Sequence, residues 1–174
     1  MNPFLEILYQ EHDIITSAIE RVQRANVLIG INDEQYEKTI RDLLGFFRSY
    51  ADSFHHHKEE IILFPEMNKK NELLQDGLIK EMFENHEDFR DMLRHSEELL
   101  NKKNFAEAQK ELEHYCDRLL EHIAVENEEV FQIAETLFTE KELEEIYFRF
   151  IDTDRELGIE LKNELAKAIE STQV

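Results

Sequence analysis

The sequence predicts an all-α protein, an up-down-up-down four-helix bundle with additional C-terminal helices, and three observations carry that expectation. Gly (4) and Pro (2) are scarce among the 174 residues, 34% of residues are charged, and helix formers dominate. Apolar residues recur at helical spacing through almost the whole chain. The segments between the stripes are short, which makes consecutive helices antiparallel neighbours. A chain of this length is about one domain with a single sizeable core.

In the first segment Leu5, Leu8, Ile15, Ile19, Val22, Ala25 and Ile29 form one stripe. Turn residues at 30–33, beginning with Gly30, interrupt it. The second segment runs from about Glu34 to Met67 with Tyr36, Ile40, Leu44, Phe47, Ala51 and Ile62 inward, and Pro65 is expected to kink or end it. A loop follows at 71–77. The third segment, Leu78 to Lys102, turns Ile79, Phe83, Phe89, Leu93 and Leu100 inward. Asn104 caps the fourth, where Ala108, Leu112, Tyr115, Leu119, Val130 and Ile133 line one face.

The bundle is therefore expected over residues 1–138, with a helical extension over 139–174. Thr139 with Glu142, and Thr153 with Glu156, both fit the capping box and predict two more helices. Leu143, Ile146, Tyr147 and Phe150 make one apolar face; Leu157, Leu161, Leu165 and Ile169 make another. These faces either pack on the bundle or form a contact between two copies of the chain.

Asp plus Glu outnumber Lys plus Arg by 40 to 20, a net charge of −20. Nucleic-acid phosphate or an anionic membrane needs clustered Lys and Arg, and no such cluster is present. The acidic excess reads as a solvated, self-repelling surface. No apolar run is long enough to span a bilayer. Residues 1–9 carry no basic start and no long apolar run, so a cytoplasmic location is expected. The single cysteine, Cys116, sits among apolar helical residues and reads as a buried thiol.

Each stripe has a polar interruption where the period demands an inward residue. His12 falls between Leu8 and Ile15, and His55 and Glu59 fall between Ala51 and Ile62. His86 falls between Phe83 and Phe89, and His122 and Glu126 fall between Leu119 and Val130. Burying such groups without partners costs several kcal/mol each. A pair of divalent cations would satisfy all of them. Residues four apart share a helix face about 6 Å apart along the axis. One imidazole and one carboxylate of each His-x-x-x-Glu pair can therefore reach the same centre, and a carboxylate can bridge two metals. The pattern is also duplicated. His12 with His55 and Glu59 matches His86 with His122 and Glu126, and the match extends to Leu63/Val130 and Phe64/Phe131. Two hairpins related by a pseudo-twofold axis would place a symmetric two-metal site on that axis.

The neighbours read differently. His56 and Glu60 repeat the four-residue spacing one step around the helix. His56 is expected at the surface, and becomes a further ligand only if the helix is slightly rotated. His57 points away, and His95 and His114 are expected outside the site. Tyr9 and Tyr115 read as core residues with a polar tip.

The residues around these positions resemble the hemerythrin-like (HHE cation-binding) family. The resemblance rests on Glu11-His12-Asp13, on the run from His55 through Glu59 and Glu60 to Leu63-Phe64-Pro65, on Asn85-His86-Glu87, and on His122 through Glu126-Asn127, and it covers roughly residues 1–138. By that resemblance His12, His55, Glu59, His86, His122 and Glu126 are the ligands of two iron ions, oxo- or hydroxo-bridged, with Glu59 and Glu126 bridging. Oxygen-carrying hemerythrins place a fifth histidine where this chain has Arg90, and an aspartate where it has Asn127. The chain therefore looks like the His4Glu2 di-iron branch.

The resemblance implies a protein that binds or senses O2 or another small diatomic such as NO. The alternative is a di-iron stress-response enzyme acting on nitric oxide or peroxide, or repairing iron centres. The repair proteins it resembles carry an extra cysteine-containing N-terminal domain, whereas here the bundle motif starts within the first residues. Ferritin-like sites use paired Glu-x-x-His motifs, and only Glu111–His114 has that spacing. A metal-free interaction module and a hydrolytic zinc site are the remaining readings.

Overall fold

The computed structural model describes residues 2–171. Four long rods and two further helices account for the described chain. The first rod is α1 (Glu6–Ala25), extended by a short 3-10 turn at Asn26–Leu28. The second is α2 (Asp33–Phe46), which continues as π-helix π1 (Phe47–His56), then π2 (Glu59–Leu63), then α3 (Phe64–Lys70). The third is α4 (Leu78–Asn101). The fourth is α5 (Phe105–Val125), then π3 (Glu126–Val130) and α6 (Phe131–Leu137). The C-terminal pair is α7 (Glu140–Leu157) and α8 (Ile159–Ser171).

The sequence explains most boundaries. The Asn32 side chain accepts from Gln35 N–H and caps α2. Thr139 and Glu142 form both halves of the capping box that starts α7. Pro65 does not end the second rod, which runs on to Lys70. Pro65 falls in the first turn of α3, where a missing N–H costs little. Asn104 precedes α5 but makes no side-chain cap bond. Thr153 and Glu156 lie inside α7 rather than at a helix start, so the capping box expected there does not form.

Gly158 closes α7 with φ 110° and separates it from α8. An added Cβ would meet only Leu161 Cβ, at 3.9 Å, so the obstacle to a side chain is backbone strain rather than space. Gly158→Ala is expected to cost about 1–3 kcal/mol, read as a lower urea midpoint with unchanged slope.

The buried apolar residues divide into two clusters. One holds Ile15, Ile19, Tyr36, Leu44, Phe47, Leu93, Leu112, Tyr115 and their neighbours, including Cys116 and Ile169 of α8. The other holds Leu5, Leu8, Leu63, Phe64, Met67, Val130 and Phe131, together with Leu143, Ile146 and Phe150 of α7. The histidines and glutamates singled out above fall where the first cluster gives way to the second along every rod. Phe83 is a correction, because it is 36% exposed rather than inward. Leu157 and Leu161 are also exposed, and on α8 it is Lys162 that is buried. No helix among the described residues is long and apolar enough to cross a membrane.

Candidate metal centre

His12, His55, Glu59, His86, His122 and Glu126 are all buried, none more than 2% exposed, and all face one interior space. Glu126 spans that space. Its Oε2 is 3.1 Å from His12 Nε2, and its Oε1 is 3.0 Å from His122 Nε2 and 3.8 Å from His86 Nε2. Glu59 spans it as well, with Oε1 3.5 Å from His55 Nε2 and Oε2 3.7 Å from His86 Nε2. Each carboxylate thus offers one oxygen to either side. Nε2 of His86 and Nε2 of His122 are 3.0 Å apart.

These inner atoms lack ordinary partners. Despite the short approaches, Nε2 of His12 and of His55 and all four oxygens of Glu59 and Glu126 make no hydrogen bond. Orphaned donors and acceptors in a dry interior are costly. A cation pair fits, because it would take up the nitrogen lone pairs and the carboxylate charges together.

The outer nitrogens are held, and they are held by the same repeat. Nδ1 of His12 is 2.8 Å from Asn127 Oδ1, and Nδ1 of His86 is 2.8 Å from Glu60 Oε1. Asn127 and Glu60 each directly follow the inward glutamate of the opposite hairpin. Nδ1 of His55 is 2.8 Å from Glu11 Oε2, and Nδ1 of His122 is 3.4 Å from the Asn85 amide. Glu11 and Asn85 each directly precede the lone histidine of the same hairpin. For His12, His55 and His86 the outer oxygen acceptor fixes the tautomer with the proton on Nδ1 and the lone pair on the inner nitrogen, whereas His122 meets the amide nitrogen of Asn85, a donor. Sequence reasoning named these four residues within the family resemblance but gave none of them a role behind a histidine. The signal was present, since each adjoins a candidate ligand at the same place in both halves.

The backbone follows the repeat too. π2 and π3 each begin at the inward glutamate, with Phe64 N–H donating to Glu59 O and Phe131 N–H donating to Glu126 O. Single π turns inside α-helices are frequent at functional sites. Past each turn a phenylalanine lies flat against a histidine of the other hairpin. Phe64 is 6.0 Å from His86 at 24°, and Phe131 is 5.5 Å from His12 at 17°. Phe89 stands edge-on to His122 at 5.2 Å. Phe64, Phe89 and Phe131 are therefore the rings that touch the histidines, whereas Phe47 packs one layer away on Tyr115.

Electrostatics match the geometry. Burial, and then the charge of Glu126, push the Glu59 carboxyl well above the usual carboxylate range. Burial also acts against a charged Glu126, but His122, His12 and His86 outweigh it and hold Glu126 well below that range. His55 is pushed down to about 4, first by burial and then by His12. Burial likewise keeps His122 below its ordinary value. Burial acts against a charged His86 as well, but Glu126 and Glu60 outweigh it and raise His86 above its ordinary value, so the neutral imidazole that a metal ligand requires is favoured at His55 and His122.

Two networks surround the site. Glu11 is buried with Lys58, Asp154 and Lys162 in a closed group of four charges. Lys58 Nζ is 2.5 Å from Glu11 Oε1 and 2.8 Å from Asp154 Oδ1, and Lys162 pairs with both carboxylates. The C-terminal helices thereby reach the acceptor behind His55. On the other side Arg90 donates to both oxygens of Asp52 and, at 2.8 Å, to Glu60 Oε1.

The remaining expectations divide. His95 and His114 are exposed, and Tyr9 donates to the Asn127 carbonyl at 3.3 Å, at the edge of the site. His56 is a correction. It is 2% exposed, not at the surface, and its ring stacks on His86 at 3.9 Å and 14°. The i→i+5 winding of π1 carries successive residues through a smaller angle than α winding, so His55 and His56 can both turn inward.

A helical bundle with a buried histidine and glutamate cluster, built by two matching hairpins, defines a cation-binding bundle protein. The family model of the hemerythrin HHE cation-binding domain matches residues 4–134. The chain belongs to that family. The search of curated proteins and the search of solved structures each returned no match.

Proposed function

We propose that His12, His55, Glu59, His86, His122 and Glu126 hold a pair of iron ions bridged by the two carboxylates, and that this centre binds or senses O2 or another small diatomic. The observation that carries the reading is the division of labour in each carboxylate, one oxygen toward His12 and His55 and the other toward His86 and His122. Each iron would then receive imidazole nitrogen and carboxylate oxygen, a mixed donor set that suits iron. Iron held there would supply a redox-active centre for a small ligand.

The residues of the chain do the rest. Asn127, Glu11, Glu60 and Asn85 hold the imidazoles so that Nε2 points inward. Phe64, Phe89 and Phe131 wall the site with apolar surface that admits a small uncharged molecule and excludes water. The same centre would also serve a reaction with nitric oxide or peroxide, and the spectra below separate the two.

The test is metal content of protein purified without added metal, with absorption spectra under nitrogen and under air. The expected result is two irons per chain and charge-transfer bands that appear with oxygen and vanish when it is removed. Bands that decay with consumption of peroxide or nitric oxide, and do so less in a His55→Ala variant, would assign turnover instead. Absence of metal together with failure to take up ferrous iron anaerobically would sink the reading.

A further inference from the structure

Of the four residues behind the candidate histidine ligands, Glu11 alone is buried, while Glu60, Asn85 and Asn127 are half-buried. A carboxylate in a dry interior must have its charge and its oxygens satisfied. The two oxygens of Glu11 have separate duties. Oε2 accepts from His55 Nδ1 at 2.8 Å, and Oε1 accepts from Lys58 Nζ and Lys162 Nζ. Lys58 stands on the same rod as His55, but Lys162 comes from α8. Donors on both oxygens fix the plane of the carboxylate, and with it the direction from which Oε2 meets the His55 ring.

The α7–α8 junction delivers these charges. Gly158 N–H donates to Asp154 O, and Lys162 N–H donates to Gly158 O, so Asp154 and Lys162 each stand one helical turn from Gly158. Both are buried, and each lysine pairs with both carboxylates. α8 packs on α1 and π1, the elements that carry Glu11 and His55. Docking of α8 does not by itself call for a buried lysine. Apolar residues of similar volume in place of a buried ion group are often as stable or more so. What the charges supply, and apolar residues would not, is a fixed orientation of Glu11. Asp154 and Lys162 also lie beyond residues 4–134, the span of the family match.

We propose that the C-terminal helices complete the metal centre: Lys162, with Asp154 and Lys58, is a positioning residue that locks the Glu11 carboxylate and through it the His55 ring. This rests on the two-metal reading above. The extension over 139–171 then sets the ligand geometry of a site to which it contributes no ligand.

The test adds cobalt(II) anaerobically to metal-free protein and follows the exchangeable imidazole protons of cobalt-bound histidines, which are shifted far outside the ordinary proton range. In wild type the His55 proton is expected to exchange with water more slowly than those of His12, His86 and His122, whose outer partners are half-buried. In Lys162→Met that proton exchanges at least about tenfold faster, the other three keep their rates, and cobalt(II) binding weakens by about tenfold. The double variant Asp154→Asn/Lys162→Met removes one charge of each sign and leaves Glu11 balanced by Lys58. It is expected to show the same selective change, and it guards against a single variant that fails to fold. Arg149→Gln is the control. It releases a different tie of α7, the 2.8 Å bond to Glu66 of α3, and should leave both readouts unchanged. A His55 proton that is not the slowest in wild type, unchanged exchange in the Lys162 variants, or acceleration of all four protons together would overturn the positioning role and leave the two-metal reading standing. No shifted imidazole signal in cobalt-treated wild type would remove both.

Discussion

Glu59→Gln is expected to stabilise the metal-free protein at neutral pH while destroying tight metal binding. Glu59 and Glu126 share one dry space, and Glu126 is held charged by three histidines. Without a cation the proton goes to Glu59, whose carboxyl lies well above its ordinary value of 4.5 because of burial and the Glu126 charge. A group raised in the folded state contributes stability that is fully present below its unfolded value and is lost as pH rises. At pH 7 the metal-free wild type therefore carries a penalty of up to about 3 kcal/mol that neutral glutamine lacks. For a chain of this size that is a gain in Tm of at most roughly 6–12 °C. Thermal unfolding of chelator-treated wild type and variant, at pH 4.5 and pH 7, checks the sign. The gain should vanish at the lower pH, and equal Tm values at pH 7 would disprove the account. Metal titration of the same two proteins should show the opposite order.

Lys58→Met is expected to cost about 3–5 kcal/mol. Lys58 is fully buried and neutralises Glu11 and Asp154. Removing one member of a buried charge group leaves the others uncompensated, a far larger loss than breaking a surface pair. Burial acts against a charged Glu11, yet Lys58, His55 and Lys162 hold its carboxyl well below the usual range. Stability from this depressed group is present above the ordinary carboxylate pKa and is lost as pH falls. The variant should accordingly show a lower urea midpoint at pH 7 and a smaller loss on acidification than wild type. A change under 1 kcal/mol at pH 7 would mean that Lys162 alone suffices.

The sequence makes the six inward groups legible because a polar residue where an apolar one is due stands out against the period. The duplication makes them legible as a set, and it extends without strain to Phe64 and Phe131. What the period hides is anything that depends on departing from it. His56 falls outside the site on a regular α-helix and inside it on π1. Glu11 and Lys58 look like ordinary charged helix residues, since their partners, Asp154 and Lys162, lie far along the chain. The helix junction also reads wrongly from local pattern. Thr153 and Glu156 have capping-box spacing, but a cap needs a chain break before it, and Gly158 supplies that break five residues later.

The two π turns at Glu59 and Glu126 have a consequence of phase. A π turn is an α-helix with one residue too many, so everything beyond it is rotated by about 100° relative to an uninterrupted helix. In both long rods the candidate ligands lie before the extra residue or at it, and the phenylalanine that covers the opposite histidine lies after it. The two duties are thus set on separate angular scales along one continuous backbone. Loss of one residue from 61–62 or from 128–129 would leave every candidate ligand and its outer partner in place and swing Phe64 or Phe131 off its histidine. Spacing in these stretches is therefore more constrained than residue identity, and a gap there would change how the centre is covered without changing what can bind to it.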